Sequence, residues 1–150
     1  MNALGKYFGR LFGALLRGRS QHLMDIAPLL GFSADDTKRL VDLEPEAREA
    51  EFLSIIQARF GGPVDWRGTP QDIYEVVSPC LTVEERSRLP DVQAVARRPP
   101  ARVVEALDSR LGSSSRALRA IESFGDFVIV LLVPRERVAE FDRLARHWIA

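Results

Sequence analysis

The stretch Phe127-Val128-Ile129-Val130-Leu131-Leu132-Val133 constrains this chain more than any other, because it is uninterrupted by any charged or polar side chain. A run of that length without polar alternation reads as a strand buried on both faces, and it is far too short to cross a bilayer. Gly125-Asp126 immediately before it is a turn signal, and residues 116–124 fit either helix or strand. The turn favours a β-hairpin whose second arm is central. Such a strand needs apolar cover on both sides, and the rest of the chain must provide it.

Helices are the expected source of that cover. Ser33 with Asp36 three residues later reads as an N-cap, opening a short helix through Leu40. Pro45 suits a first helical turn, and Phe52, Ile55, Ile56 and Phe60 form a stripe that Gly61-Gly62 is expected to stop. Val64-Asp65-Trp66 reads as a brief strand. Thr69-Pro70 with Asp72 opens another helix closed by Pro79, and Thr82-Val83-Glu84-Glu85 is a capping-box pattern ended by Pro90. Val103, Val104, Leu107 and Leu111 recur at helical spacing before Gly112, and Val138, Phe141, Leu144, Ala145 and Trp148 line a final helix. The expected fold class is α+β, mostly helical, with a small antiparallel sheet built on a C-terminal hairpin. With 150 residues, no internal repeat and no long linker, one domain over residues 1–150 is expected.

Residues 1–19 stand apart. Tyr7, Phe8, Leu11, Phe12, Leu15 and Leu16 form one apolar stripe, with Lys6, Arg10, Arg17 and Arg19 and no acid. A basic amphipathic helix is expected there, as an appendage that packs on the domain, lies on a membrane or binds a protein. It makes a poor secretory signal, because Arg10 and Arg17 flank a short apolar stretch and no small-residue cleavage site follows.

The formal net charge of zero conceals three blocks. Residues 1–19 carry +4, residues 20–85 carry 13 acids against Lys38, Arg39, Arg48, Arg59 and Arg67, and the remainder carries 12 arginines against eight acids. Only Lys6 and Lys38 of the basic residues are lysines. That bias resembles phosphate recognition, but GC-rich coding produces it with no selection on function and is the favoured reading. Arg97, Arg98, Arg102, Arg110, Arg116 and Arg119 read as a solvated helix face, because no nucleic-acid-binding motif accompanies them. No nucleic-acid partner is expected.

Catalytic patterns are sparse. Cys80 is the single cysteine, so no intramolecular disulfide forms and a reducing, cytoplasmic compartment is expected. His22 and Asp25 share a helical spacing but nothing in the sequence completes a metal site, and the other histidine, His147, is remote in sequence. Asp65, Asp72, Glu75 and Asp126 converge if the hairpin lies beside residues 64–66, although capping and turn roles account for Asp72 and Asp126. No phosphate loop, nucleophile elbow or zinc-protease motif occurs. No metal or cofactor is expected. An uncharacterised hydrolase using Cys80 or the carboxylates is the enzymatic alternative.

The most informative surface is acidic. Asp35, Asp36, Asp42, Glu44, Glu46, Glu49 and Glu51 lie close together against Lys38, Arg39 and Arg48. Such a block steers a basic partner, while acids in a first helical turn also serve the helix itself.

The segments Val64-Asp65-Trp66-Arg67-Gly68, Thr69-Pro70-Gln71-Asp72-Ile73 and Gly125-Asp126-Phe127-Val128-Ile129 give the later part of the chain a layout that resembles small single-domain bacterial proteins of unknown function, among them toxin-neutralising immunity proteins. What the resemblance implies is a protein that occludes a toxin's active site without catalysis of its own. The leading expectation is a non-enzymatic protein-binding module whose acidic face meets a basic toxin domain. A peripheral membrane or assembly protein anchored by residues 1–19 is the alternative from another class.

Overall fold

In the computed structural model, described here for residues 20–122 and 127–146, the apolar run forms strand β3 (Phe127–Pro134), central between β1 (Gly61–Asp65) and β2 (Arg116–Glu122). Both pairings are antiparallel, with Gly61 opposite Leu131 and Arg116 opposite Pro134. The pleat divides β3 between two cores. Ile129, Leu131 and Val133 join one cluster, and Val128, Val130 and Leu132 join the other. The strand is buried on both faces, as its composition requires.

Seven α-helices among the described residues supply the cover. One layer holds α1 (Ser20–Leu30), α2 (Ala34–Val41), α3 (Pro45–Arg59) and α7 (Val138–Ala145), contributing Leu30, Leu40, Ile56 and Phe141. The other holds α4 (Pro70–Val77) and α6 (Pro100–Arg110), with Ile73, Val77, Val103 and Leu107 inward. Between these two helices in chain order comes α5 (Val83–Arg88), whose Glu85 is buried. The architecture is α+β and mostly helical, with a three-stranded antiparallel sheet between helical layers. No described helix is long and apolar enough to cross a membrane.

Local chemistry explains most element ends. Ser33 and Asp36, and Thr82 and Glu85, form reciprocal capping boxes at α2 and α5, while at α4 Asp72 accepts both the N–H and the hydroxyl of Thr69. Helix α1 ends where Gly31 adopts φ +87°, with Gly31 N–H donating to Pro28 O and Phe32 N–H to Ala27 O, both at 3.3 Å. That is a Schellman closure.

Two expectations needed correction. Gly61-Gly62 does not stop α3, which ends at Arg59 with Phe60 as its cap; the glycines open β1. Gly61 sits at φ +147°, and a Cβ there would lie 2.0 Å from the Val130 carbonyl oxygen. The close approach of two strands requires this glycine. Trp66 accordingly lies beyond β1, half exposed at 48%. The expected N-terminal helix, the turn Gly125-Asp126, His147 and Trp148 lie outside the described residues.

Candidate functional site

The expected acidic face separates into three kinds of carboxylate. Asp36 is buried, accepts the Ser33 N–H and pairs with Arg59. Burial would raise its pKa, but Arg59 and the Ser33 donors outweigh this and hold it low. Glu49 is 1% exposed, on the inner side of α3. Both leave the expected partner-facing set, because neither presents its charge to solvent. Glu51 is half-buried and pairs with Arg39. Asp35, Asp42, Glu44 and Glu46 are exposed and form no ion pair among the described residues.

The bases of this stretch are redirected too. Arg48 turns its guanidinium inward, donating Nε to Leu40 O at 2.8 Å, Nη2 to Leu43 O at 3.0 Å and Nη1 to Ser20 Oγ at 3.0 Å. A longer bond reaches Val41 O at 3.3 Å. Arg48 thus satisfies the carbonyls left open at the end of α2. With Arg39 on Glu51, the α2–α3 corner presents Asp42, Glu44 and Glu46, with Lys38 the exposed unpaired base on α2. The apolar set Tyr7, Phe8, Leu11, Phe12, Leu15 and Leu16 lies outside the described residues.

A 740 Å³ groove runs along the outer edge of β1 between α3 and α4. Asp65, Asp72 and Glu75 line it, beside the apolar surfaces of Leu53, Val76 and Phe127. Three of the four carboxylates singled out in the sequence therefore converge, and Asp126 lies outside the described residues. Each is already engaged. Asp65 Oδ1 accepts the Arg67 N–H at 2.8 Å, Asp72 Oδ2 accepts Thr69 N–H at 2.6 Å, and Glu75 accepts from Gln71 at 3.3 Å. No group of three or more metal-ligating side chains suited to an ion occurs among the described residues.

The β1 edge itself offers little to a pairing strand. The Phe60 carbonyl accepts from Leu132 N–H, so the alternation of an antiparallel ladder turns the backbone groups of residues 61, 63 and 65 outward. Pro63 has no N–H, the Gly61 N–H is directed to the Cys80 sulfur, and the Asp65 carbonyl accepts the Gly68 N–H at 2.8 Å.

Cys80 sits half-buried at the end of the turn after α4, its Sγ 3.9 Å from Val76 O. Burial pushes its pKa up, against smaller opposing effects of Arg116 and the Gly61 N–H. The sulfur is held as a thiol, whereas nucleophilic catalysis needs the thiolate.

The arginines expected on a solvated helix face are dispersed, with Arg116 and Arg119 on strand β2. Arg116 pairs with Glu85 at 2.6 Å, Arg119 bridges Asp108 and Asp142 at 3.0 Å each, and Arg102 pairs with Glu105 at 2.7 Å. Arg97 and Arg98 instead border a second groove with Trp66 and Arg67, a grouping the linear sequence separates by about thirty positions. No family model, no curated protein and no solved structure matches the chain.

Proposed function

We propose that this chain is a non-catalytic protein-binding module, of the toxin-neutralising kind, which receives a basic partner surface at the α2–α3 corner. The observation that supports this most is the inward turn of Arg48. Its guanidinium is taken up by the carbonyls of Leu40 and Leu43 and forms no ion pair with Asp42, Glu44 or Glu46, which stay exposed and unpaired among the described residues. A basic partner gains association rate and selectivity from the field of such charges. The partner-facing set at this corner is Asp42, Glu44 and Glu46, a smaller group than the linear charge count implies; Asp35 is exposed at the other end of α2.

The test is affinity capture from the native cell with the intact chain and with Asp42→Lys/Glu44→Lys/Glu46→Lys. A basic protein retained at low salt, released between about 50 and 500 mM salt, and lost with the triple variant supports the proposal. A matched reversal at exposed Glu84, Glu105 and Glu140 is expected to retain it. Equal capture by the triple variant would remove the acidic corner from the account.

The aromatic, basic pattern of residues 1–19 favours a second role, peripheral attachment to an anionic bilayer. Co-sedimentation with phosphatidylserine vesicles, compared between the intact chain and Phe8→Asp/Leu15→Asp, distinguishes it; equal sedimentation excludes the attachment.

A further inference from the structure

The second groove is an open depression of about 580 Å³ where the turn after β1 meets the start of α6. Among the described residues Arg67, Arg97 and Arg98 line it together with Trp66, and no carboxylate does. Elsewhere the arginines are largely occupied. Arg39, Arg59, Arg88, Arg102, Arg116, Arg119, Arg135 and Arg137 have carboxylate partners, and Arg48 and Arg86 donate to backbone carbonyls. Among the described residues the side chains of Arg97 and Arg98 have no such partner, and the Arg67 guanidinium lies 4.7 Å over the Trp66 ring. Three cations at one depression repel each other, and an anionic ligand relieves that repulsion.

The surroundings narrow the ligand. Pro99 caps α6 without a side-chain oxygen, and the first turn of α6 contains no acid. Asp36, Asp72 and Glu85 occupy the corresponding turns of α2, α4 and α5. Pro70, Pro99 and Pro100 stiffen the backbone of the walls. Guanidinium groups match phosphate oxygens in a forked geometry, while exposed tryptophan and arginine planes offer stacking surfaces for a base. An acidic peptide would satisfy the arginines but has no use for the aromatic platform.

We propose that this groove binds a nucleoside phosphate, with the phosphate held by Arg97 and Arg98 near the start of α6 and the base against the Trp66–Arg67 pair. A free mononucleotide and the end of a single strand present the same chemistry, and titration separates them.

Trp66 becomes the sole tryptophan in a Trp148→Phe background, so its fluorescence reports on the groove. Adenosine monophosphate, inorganic phosphate, a short oligothymidylate and polyglutamate are titrated in turn, with circular dichroism checking the fold of each variant. The expected result is saturable quenching by adenosine monophosphate below about 10 mM, weakened at least about tenfold by Arg97→Glu/Arg98→Glu. Arg110→Glu/Arg143→Glu, which reverses charges outside the groove, is expected to leave the affinity unchanged. Tighter binding of the oligothymidylate assigns a strand end as the source, and affinity no greater than the mononucleotide's assigns the free nucleotide. The proposal is overturned if neither nucleotide saturates, if phosphate or polyglutamate binds as tightly, or if the folded double variant keeps full affinity.

Discussion

Arg48 donates its Nε–H to the Leu40 carbonyl at 2.8 Å, and this bond ties the end of one helix to the charge of the corner beside it. The same guanidinium reaches Leu43 O and Ser20 Oγ, joining α1, α2 and α3. Arg48→Ala leaves part-buried carbonyls without a donor and is expected to cost about 2 kcal/mol in urea unfolding. Arg48→Lys should recover little, because an ammonium group cannot reproduce the planar fork. Full stability in either variant would show that the carbonyls find other partners.

Glu85 contributes a pH-dependent part of the stability. Burial would raise its pKa, but Arg116, the Thr82 N–H and the Ser114 hydroxyl outweigh that and hold it at about 2. Its folded pKa lies below the unfolded value, so the contribution is complete above the unfolded pKa and is lost as pH falls through the folded one. Stability from this group is expected to decline between about pH 5 and pH 2, by up to about 3 kcal/mol, and Glu85→Gln should flatten that part of the profile. An unchanged acid limb in Glu85→Gln would place the linkage on other carboxylates.

Gly61 admits no side chain. Its positive φ and the 2.0 Å approach of a Cβ to Val130 O act together, so Gly61→Ala is expected to cost roughly 3 kcal/mol. Gly112→Ala meets nothing closer than 3.4 Å and serves as the comparison in thermal unfolding. Equal midpoints for the two variants would contradict the register of β1 on β3.

Cys80 should label slowly with a thiol-specific alkylating reagent at neutral pH. Its raised pKa predicts a pH–rate profile whose midpoint lies above that of a free cysteine thiol. Rapid, pH-independent labelling at neutrality would instead mark a thiolate and revive nucleophilic chemistry at this position.

Signals carried within one turn of helix were legible in the sequence. Ser33 with Asp36 and Thr82 with Glu85 marked helix starts, and the apolar run of β3 fixed the centre of the sheet. Long-range placement was less legible. Pro28 interrupts the pattern of α1, and Gly61 reads as a helix stop until the backbone of β3 is known to press against it. Glu49 counted toward an acidic face although it stands three, four and seven residues before Phe52, Leu53 and Ile56, on the buried side of α3. That spacing was a usable signal of burial. Arg97 and Arg98 joined Trp66 and Arg67 through tertiary packing alone, which no local pattern records.

The central claim concerns the charge of the α2–α3 corner, and the association rate of the purified complex tests it most directly. Stopped-flow association of the captured partner with Asp42→Lys/Glu44→Lys/Glu46→Lys is expected to slow at least about tenfold at low salt, with dissociation changed far less. The difference should shrink as ionic strength rises. An association rate equal to that of the unaltered chain, at low salt and with the fold intact, would contradict the account.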